Sequence, residues 1–243
     1  MRQWQGKKYW LVGASDGLGA ALAQRMSAAG AHVVVSARSE KKLKAVVESL
    51  PNQGSYQTVD VSDDASVVKA AEAIGQIDGI VYLAGVYWPF SAQEWNAEEA
   101  TAMADINFTG LVRVMGRVVP QFVTRDAGHV VITGSLSGFR GLPGSIGYTA
   151  SKAGTMSLAE CMYADLRGTG VDVQVSNPGF IKTQLTDKND FNMPFIMTPE
   201  DAAEHMFRHM NSNRFKQSFP TVFSWVFRGS QFLPDWLYFR IFS

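Results

Sequence analysis

Short apolar runs alternate along the chain with longer segments in which apolar residues recur every three or four positions. The short runs predict β-strands at residues 9–12, 32–37, 56–61, 77–83, 129–133 and 171–175. The longer segments predict helices at residues 17–29, 39–50, 63–74, 97–123, 148–167 and 199–210. Residues typical of helix ends support these bounds: Ser39 and Thr198 precede helices, Pro199 takes a first helical position and Gly30 follows a helix.

This alternation of strand and helix is typical of an α/β fold. The strand segments are largely apolar throughout, as expected for strands buried on both faces of a parallel sheet. Right-handed crossovers between such strands give a doubly wound parallel sheet, the Rossmann arrangement, with helices on both faces. Neither an internal repeat nor a low-complexity tract divides the sequence, so we expect residues 1–243 to form a single domain.

Composition and charge argue against several other classes of protein. The 22 lysines and arginines balance 22 aspartates and glutamates, and no basic stripe indicates nucleic-acid binding. A single cysteine, Cys161, excludes an internal disulfide and fits a reducing compartment. The first residues do not resemble a signal peptide, and no apolar run approaches the roughly 20 residues of a spanning helix. We therefore expect a cytoplasmic protein.

The first predicted strand ends in a glycine-rich turn that opens the first predicted helix. Glycines permit a tight turn and a close approach of the backbone to phosphate, and the helix N-terminus offers free N–H groups. The turn therefore predicts a site for the pyrophosphate of a dinucleotide, formed by Gly13, Ser15, Asp16, Gly17, Leu18 and Gly19. A glycine-rich turn that binds nothing is the alternative.

The end of the second predicted strand indicates which dinucleotide binds. A carboxylate there would accept hydrogen bonds from a ribose 2′-hydroxyl, but this chain has Arg38, which can pair with a 2′-phosphate. NADP(H) is therefore favoured over NAD(H), unless Arg38 is only a solvated surface charge. Asp16 opposes this choice, because an inward-pointing carboxylate in the glycine turn weakens phosphate binding. Asp60, after the third strand, either accepts from the adenine amino group or caps a turn.

Tyr148 and Lys152 are four residues apart in a helical pattern and so share one face. A tyrosine with an ordinary pKa of ~10 is a poor base at neutral pH, and a nearby ammonium in a partly dry pocket lowers that pKa. Ser135 lies just past the fifth strand, where a hydroxyl can hold a substrate oxygen, unless it is only a turn hydroxyl. Asn107 can hold a water that links Lys152 to solvent, unless it is only a polar helix residue.

In this order the residues resemble the short-chain dehydrogenase/reductase family in its compact single-domain form. The resemblance extends from Lys8 to about Thr183. It rests on the glycine turn, Asp60-Val61, Ala84-Gly85, Asn107, Ser135, Tyr148 with Lys152, and Asn177-Pro178-Gly179 followed by Thr183. Two positions depart from the family pattern: Val12 replaces a threonine in the turn, and Tyr82-Leu83 replaces two asparagines whose amides normally steady the fourth strand.

The resemblance implies an oxidoreductase that transfers a hydride between a nicotinamide cofactor and a carbonyl or alcohol. Tyr148 would exchange the substrate hydroxyl proton, and Lys152 would lower the Tyr148 pKa and bind the nicotinamide ribose. Ser135 would orient the carbonyl, and Asn107 would complete a proton relay. The residues implied to line the rest of the cofactor site are Val61, Ala84, Gly85, Pro178, Gly179, Ile181 and Thr183.

Two apolar segments follow these motifs. Residues 184–198, with Phe191 and Phe195, stand where the family has a mobile substrate lid and favour an apolar substrate, with an ordinary packed loop as the alternative. Residues 219–243 are rich in aromatic side chains, and Gly229 and Pro234 divide them into two short helical pieces. We expect this tail to pack over the substrate pocket or against a subunit, with peripheral membrane contact as the alternative.

The expected partners are a small carbonyl or alcohol substrate and further copies of the chain. The resemblance suggests a homodimer or homotetramer formed through the helical segments at residues 96–123 and 148–167, and it implies no metal. A catalytically silent dinucleotide sensor or scaffold on the same fold is the alternative function. The retention of both Tyr148 and Lys152 argues against it. Relatives that modify nucleotide sugars are usually longer, which argues against that third activity.

Overall fold

A parallel sheet of seven strands organises the computed structural model, which describes residues 2–242. The strands are β1 (Lys8–Val12), β2 (His32–Ala37), β3 (Gly54–Thr58), β4 (Gly79–Tyr82), β5 (Gly128–Thr133), β6 (Val171–Pro178) and β7 (Lys216–Phe219). Their order across the sheet is β3-β2-β1-β4-β5-β6-β7, and each pairs in parallel with its neighbours. The strand order reverses between β1 and β4, which opens a crevice at their carboxyl ends where such sheets bind ligands.

Helices cover both faces of the sheet, as predicted. They are α1 (Gly17–Ala28), α2 (Glu40–Glu48), α3 (Asp64–Ile74), α4 (Ala97–Ala104), α5 (Gly110–Thr124), α6 (Ile146–Asp165), α7 (Pro199–Met210), α8 (Thr221–Ser230) and α9 (Asp235–Phe242). Alternate residues of β1 point to opposite layers: Leu11 packs with α1, α2 and α7, whereas Trp10 packs with α3, α5 and α6. Each fully buried Leu or Met side chain in these layers contributes roughly 1.5–3 kcal/mol.

Three elements of the structure differ from those predicted from the sequence. The third strand was predicted at residues 56–61, but its pairing runs from Val33↔Gly54 to Ala37↔Thr58, and the chain leaves the sheet two residues later with Asp60. β7 was not predicted because its residues, Lys216–Phe219, are mostly polar, and it exists through pairing with β6. The predicted helix at residues 97–123 is interrupted by a π-helical turn, Asp105–Thr109.

The aromatic tail forms the two short helices expected, α8 and α9, and one arginine fastens them to the rest of the chain. Arg140 donates to the carbonyls of Ser230 and Leu233, both at 2.7 Å, and pairs with Asp235. Its guanidinium also lies 4.0 Å from the ring centroid of Tyr238. The tail therefore packs beside the 3₁₀ helix Leu136–Phe139, directly after Ser135. Within residues 2–242, no helix is both long and apolar enough to cross a membrane.

Candidate active site

A cavity of about 770 Å³ opens along the carboxyl ends of β1 to β6. Its walls carry every cofactor residue predicted from the sequence: Gly13, Ser15, Asp16, Gly17, Leu18, Gly19, Arg38, Asp60, Val61, Ala84, Gly85, Tyr148, Lys152, Pro178, Gly179, Ile181 and Thr183. Ser135 also lines it, whereas Asn107 lies behind the wall. Segments that are far apart in sequence meet here because parallel strands end at one edge of the sheet.

The glycine turn is packed so closely that side chains have no room at two of its positions. Gly13 has a φ of +91°, and a Cβ there would lie 2.4 Å from the Ala84 nitrogen. A Cβ on Gly19 would lie 2.3 Å from the Gly13 carbonyl oxygen. Asp16, the N-cap of α1, makes no side-chain capping hydrogen bond, so the first N–H groups of the helix remain available. This cradle of backbone N–H groups at a positive helix end fits an anionic pyrophosphate.

Two basic residues and a carboxylate line the cavity beside β2. Arg38 follows the strand, and Lys42, in α2, donates to Asp16 at 2.7 Å. The Asp16 carboxylate, expected to oppose a 2′-phosphate, is thus paired with a cation. Sequence reasoning missed Lys42, and its place in the first turn of the helix that follows Arg38 was the available signal.

Asp60 caps a turn, one of the two roles expected for it. Its Oδ1 accepts hydrogen bonds from the Ser62 nitrogen at 3.0 Å and the Ser62 hydroxyl at 2.6 Å. Partial burial raises the pKa of Asp60, but these hydrogen bonds and the nearby charges of Arg38 and Arg113 together outweigh it and hold the net pKa below its ordinary value. The carboxylate also faces the cavity, so a contact with adenine stays a prediction.

The predicted catalytic side chains converge on the other end of the cavity. Helix α6 carries Tyr148 in its first turn and Lys152 one turn later, with Nζ 5.7 Å from the Tyr148 ring centroid. Lys152 is buried and donates to the Thr133 carbonyl oxygen at 2.9 Å. Ser135 follows β5, and its Oγ lies 2.9 Å from the hydroxyl oxygen of Ser137, a neighbour that sequence reasoning missed.

The ionisation of this pair differs from what the resemblance implied. Burial raises the pKa of Tyr148 to about 12; a hydrogen bond from Ser135 opposes the rise and the neighbouring Tyr87 adds to it. Burial also lowers the pKa of Lys152 to about 8. In the protein without cofactor, burial thus outweighs any lowering of the Tyr148 pKa, and the lowering implied for the cofactor-bound site stays a prediction. Lys152 directs its hydrogen bond to the Thr133 carbonyl, and burial is the dominant influence on the pKa of the Tyr148 phenol.

Asn107 lies in the π-helical turn, and its amide binds the loop after β4 and helix α6. Its Oδ1 accepts from the Val86 nitrogen at 2.7 Å, and its Nδ2 donates to the Val86 carbonyl and the Ser151 hydroxyl, both at 3.0 Å. These bonds occupy both amide protons and clamp the loop after β4. A water accepted by the second lone pair of Oδ1 stays a prediction. Tyr82, one of the departures from the family pattern, donates to the Ile106 carbonyl at 2.7 Å and steadies β4 instead.

The loop after β4 brings a second tyrosine to the site. The Tyr87 ring packs edge-on against Tyr148, with centroids 5.1 Å apart. Lys188, in the 3₁₀ helix Thr186–Lys188 of the predicted lid, donates to the Tyr87 carbonyl at 2.7 Å and lies 4.3 Å from the Trp88 ring centroid. The lid therefore reaches across to the opposite wall of the cavity. Sequence reasoning missed Tyr87, which follows the Ala84-Gly85 motif by two residues.

Thr183 joins the segment after β6 to the glycine turn. A Cβ on Gly17, whose φ is +51°, would lie 2.9 Å from the Thr183 Cγ2. The Thr183 carbonyl accepts from the Thr186 hydroxyl at 2.9 Å, which ties this residue to the lid. Within residues 2–242, no group of three or more His, Cys, Asp or Glu side chains is arranged to hold a metal ion.

Known proteins are similar to this chain in sequence and in architecture. The family model described as short chain dehydrogenase matches residues 7–193. An uncharacterised oxidoreductase of Myxococcus xanthus is 36% identical over 235 residues, which cover 94% of this chain and 93% of that protein. An uncharacterised oxidoreductase of Staphylococcus saprophyticus is 32% identical over 212 residues, covering 84% of this chain and 91% of that protein.

Solved structures share the fold at lower identity. A short-chain dehydrogenase/reductase family protein superposes with a TM-score of 0.81 at 24% identity, covering 89% of this chain and 97% of that one. An alcohol dehydrogenase from the archaeon Thermococcus sibiricus, solved in complex with 5-hydroxy-NADP, gives 0.79 at 21% identity, covering 88% and 96%. The chain thus belongs to the short-chain dehydrogenase/reductase family of NAD(P)-dependent oxidoreductases.

Proposed function

We propose that this chain uses NADP(H) to interconvert a carbonyl and an alcohol, with Tyr148 as the acid and base. One observation carries the proposal: Tyr148, Lys152 and Ser135 meet at one end of a cavity whose other end is a cradle for pyrophosphate. When bound there, the reduced nicotinamide supplies the hydride. The chain's own residues have to hold the substrate oxygen and move one proton.

Each of the three side chains has a distinct task. The Ser135 hydroxyl donates a hydrogen bond to the substrate oxygen and stabilises the negative charge that develops on it. The Tyr148 phenol transfers its proton to that oxygen. The Lys152 ammonium, 5.7 Å from the ring centroid, stabilises the phenolate that remains. Asn107 contributes indirectly by fixing Val86 and Ser151 around Lys152.

The direction of the pKa values suits carbonyl reduction. With a pKa of about 12, Tyr148 is almost entirely a phenol at neutral pH and is ready to donate a proton. With a pKa of about 8, Lys152 is still mostly an ammonium at pH 7. Alcohol oxidation needs the phenolate of Tyr148 instead, so we expect oxidation to become efficient only at higher pH.

The proposal is tested by a panel of ketones and aldehydes with NADPH, followed by the absorbance of the cofactor. Tyr148→Phe removes the donated proton and is expected to lower kcat/KM on the order of a hundredfold to ten-thousandfold. Tyr163→Phe removes a hydroxyl from the same helix outside the cavity and serves as the matched control. Full activity of Tyr148→Phe would overturn the mechanism, and cofactor binding without any turnover would favour the silent sensor.

The preference for NADP(H) is carried by Arg38 and Lys42. Lys42 is paired with Asp16, and the Asp60 carboxylate also lines the cavity near Arg38, so the two cations balance two carboxylates. The Arg38 guanidinium nevertheless favours a 2′-phosphate, because it can donate two parallel hydrogen bonds to it. Arg38→Asp is expected to raise the NADPH dissociation constant about tenfold or more, and that for NADH much less. Lys41→Asp, a neighbouring exposed position outside the cavity, is the control. Equal effects of Arg38→Asp on both cofactors would show that Arg38 does not bind the phosphate.

A homo-oligomer is part of the proposal. Val112 and Val123 on α5 and Tyr163 on α6 are 44%, 51% and 37% exposed, on the helices expected to form the subunit contact. Exposed apolar side chains on adjacent helices support burial against a second copy. Light scattering during gel filtration should give a dimer or tetramer, and Val112→Asp should shift it towards monomer.

A further inference from the structure

Five phenylalanine rings connect the lid to α8. Ring centroids lie 5.9 Å apart for Phe180 and Phe191, 5.8 Å for Phe180 and Phe223, 5.6 Å for Phe195 and Phe223, and 5.1 Å for Phe223 and Phe227. These distances are typical of aromatic rings in direct contact. We call these five residues the phenylalanine cluster. It joins three parts of the chain: the residue after Gly179, the lid and the tail.

The phenylalanine cluster begins beside the reacting groups. A Cβ on Gly179 would lie 3.2 Å from Cδ1 of Phe223 and 3.2 Å from Cδ1 of Leu136. Gly179 also lines the cavity, and Leu136 directly follows Ser135. A substrate whose oxygen rests on Ser135 therefore has the phenylalanine cluster within reach of its other end.

The phenylalanine cluster remains partly open to solvent. Phe191 is 51% exposed and Phe195 is 59% exposed. Phe195 also has a φ of +57°, a left-handed conformation that is costly for a bulky side chain. Strained backbone at a ligand clamp persists when the surrounding structure holds it there. The Phe195 ring is thus exposed to solvent although its backbone is strained. Burial of the ring does not compensate for the free energy of that strain.

The segments that supply most of the phenylalanine cluster are uncharged. Neither residues 191–199 nor residues 217–227 contain a Lys, Arg, Asp or Glu. Such a surface favours a neutral apolar group over an anionic one. We propose that the phenylalanine cluster binds the long apolar body of the substrate, so that the chain prefers neutral long-chain or aryl ketones and aldehydes. This inference rests on the proposed function and names its substrate class.

A series of methyl ketones of increasing length, from butanone to dodecan-2-one, tests the inference with NADPH as reductant. For the unmodified chain, kcat/KM should rise about twofold to fourfold for each added methylene group that reaches the rings. Phe195→Ala should flatten this rise, so that its loss of kcat/KM relative to the unmodified chain grows with the length of the ketone. Alanine also carries a Cβ and can adopt this left-handed conformation, so the variant tests mainly the loss of the ring. Trp236→Ala, at an exposed ring outside the phenylalanine cluster, should keep the original rise.

Phe223→Ala supplies a second variant from α8, and dodecan-2-one binding measured by calorimetry supplies a readout independent of turnover. Equal length dependence in the unmodified chain and in Phe195→Ala would overturn the inference while leaving the proposed function intact. If the protein sediments with phosphatidylcholine vesicles and its kcat/KM does not depend on ketone length, the rings bind a membrane surface instead. Failure to reduce any ketone would reject the proposed function, and dodecan-2-one binding weakened by Phe195→Ala would still support the phenylalanine cluster.

Discussion

The buried charge of Lys152, a single residue of the candidate active site, lowers the stability of the folded protein. Its side chain is buried with a relative exposure of 4%, and its ammonium donates to one carbonyl, that of Thr133. Burial lowers its pKa from 10.5 to about 8, which means that the folded state disfavours the charge. Between these values the unfolded chain binds the proton more readily, so stability rises with pH across this window. Below pH 8 both states carry the proton, and the full penalty applies.

Replacing this charge should make the protein more stable and inactive. Lys152→Met keeps the length of the side chain and removes the ammonium, so the free energy of unfolding at pH 7 should increase on the order of 2 kcal/mol. Urea unfolding between pH 7 and pH 10.5 measures it, and the advantage over the unmodified chain should shrink as pH rises above 8. Lys69→Met, at an exposed position of α3, is the control. A destabilised Lys152→Met protein would contradict the argument.

At the scale of elements, the lid is fastened by a contact between distant segments. Lys188 of the 3₁₀ helix Thr186–Lys188 reaches the Tyr87 carbonyl and the Trp88 ring across the cavity. The loop that receives it is itself held by Asn107. The contact therefore links the lid to the wall that carries the ring packed against Tyr148.

Loss of this contact should loosen the grip on the cofactor. Lys188→Met removes one hydrogen bond and one cation–π contact, together worth about 1–2 kcal/mol, so the NADPH dissociation constant should rise roughly fivefold to thirtyfold. Cofactor fluorescence measures the change. Lys182→Met, an exposed side chain nearby in sequence, should leave the constant unchanged. An unaltered dissociation constant in Lys188→Met would show that the lid closes without this contact.

A buried polar network connects the sheet at the scale of the whole molecule. Gln174 of β6 donates to backbone carbonyls near the end of α7, which leaves its Oε1 to accept from the Nε2 of His129 at 2.9 Å. The Nδ1 of His129 then accepts from the Tyr9 hydroxyl at 3.0 Å. The network thus joins β1, β5 and β6. Burial lowers the pKa of His129 from 6.5 to about 3, so this ring is neutral in the folded protein.

Stability should therefore fall in mild acid. Below pH 6.5 the unfolded chain binds a proton that folded His129 refuses until about pH 3, so the loss between pH 7.5 and pH 5 is about 2 kcal/mol from this residue. His129→Gln keeps an amide that donates and accepts but removes the titrating ring. Between pH 7.5 and pH 5, the free energy of unfolding measured in urea should therefore decrease less for His129→Gln than for the unmodified chain. The difference between the two decreases should be about 2 kcal/mol. Equal decreases would show that other groups cause the acid sensitivity.

The sequence by itself determined the α/β architecture and the wall of the cavity. Apolar periodicity and glycine positions act over a few residues, so they predicted six of the seven strands and the turn around Gly13. Parallel strands all end at one edge, so motifs that follow strands were expected to meet, and Ser135, Tyr148 and Lys152 do line one cavity. Local patterns and one topological rule were sufficient for this much.

Only the tertiary structure decided which distant groups meet and how they are charged. Asp16 pairs with Lys42 across 26 positions, and Lys188 reaches Tyr87 across 101, distances at which periodicity carries no information. β7 exists because β6 offers it a free edge, although its own residues are mostly polar. The high pKa of Tyr148 likewise follows from burial. Burial is a property of the packed molecule and is not determined by any single sequence motif.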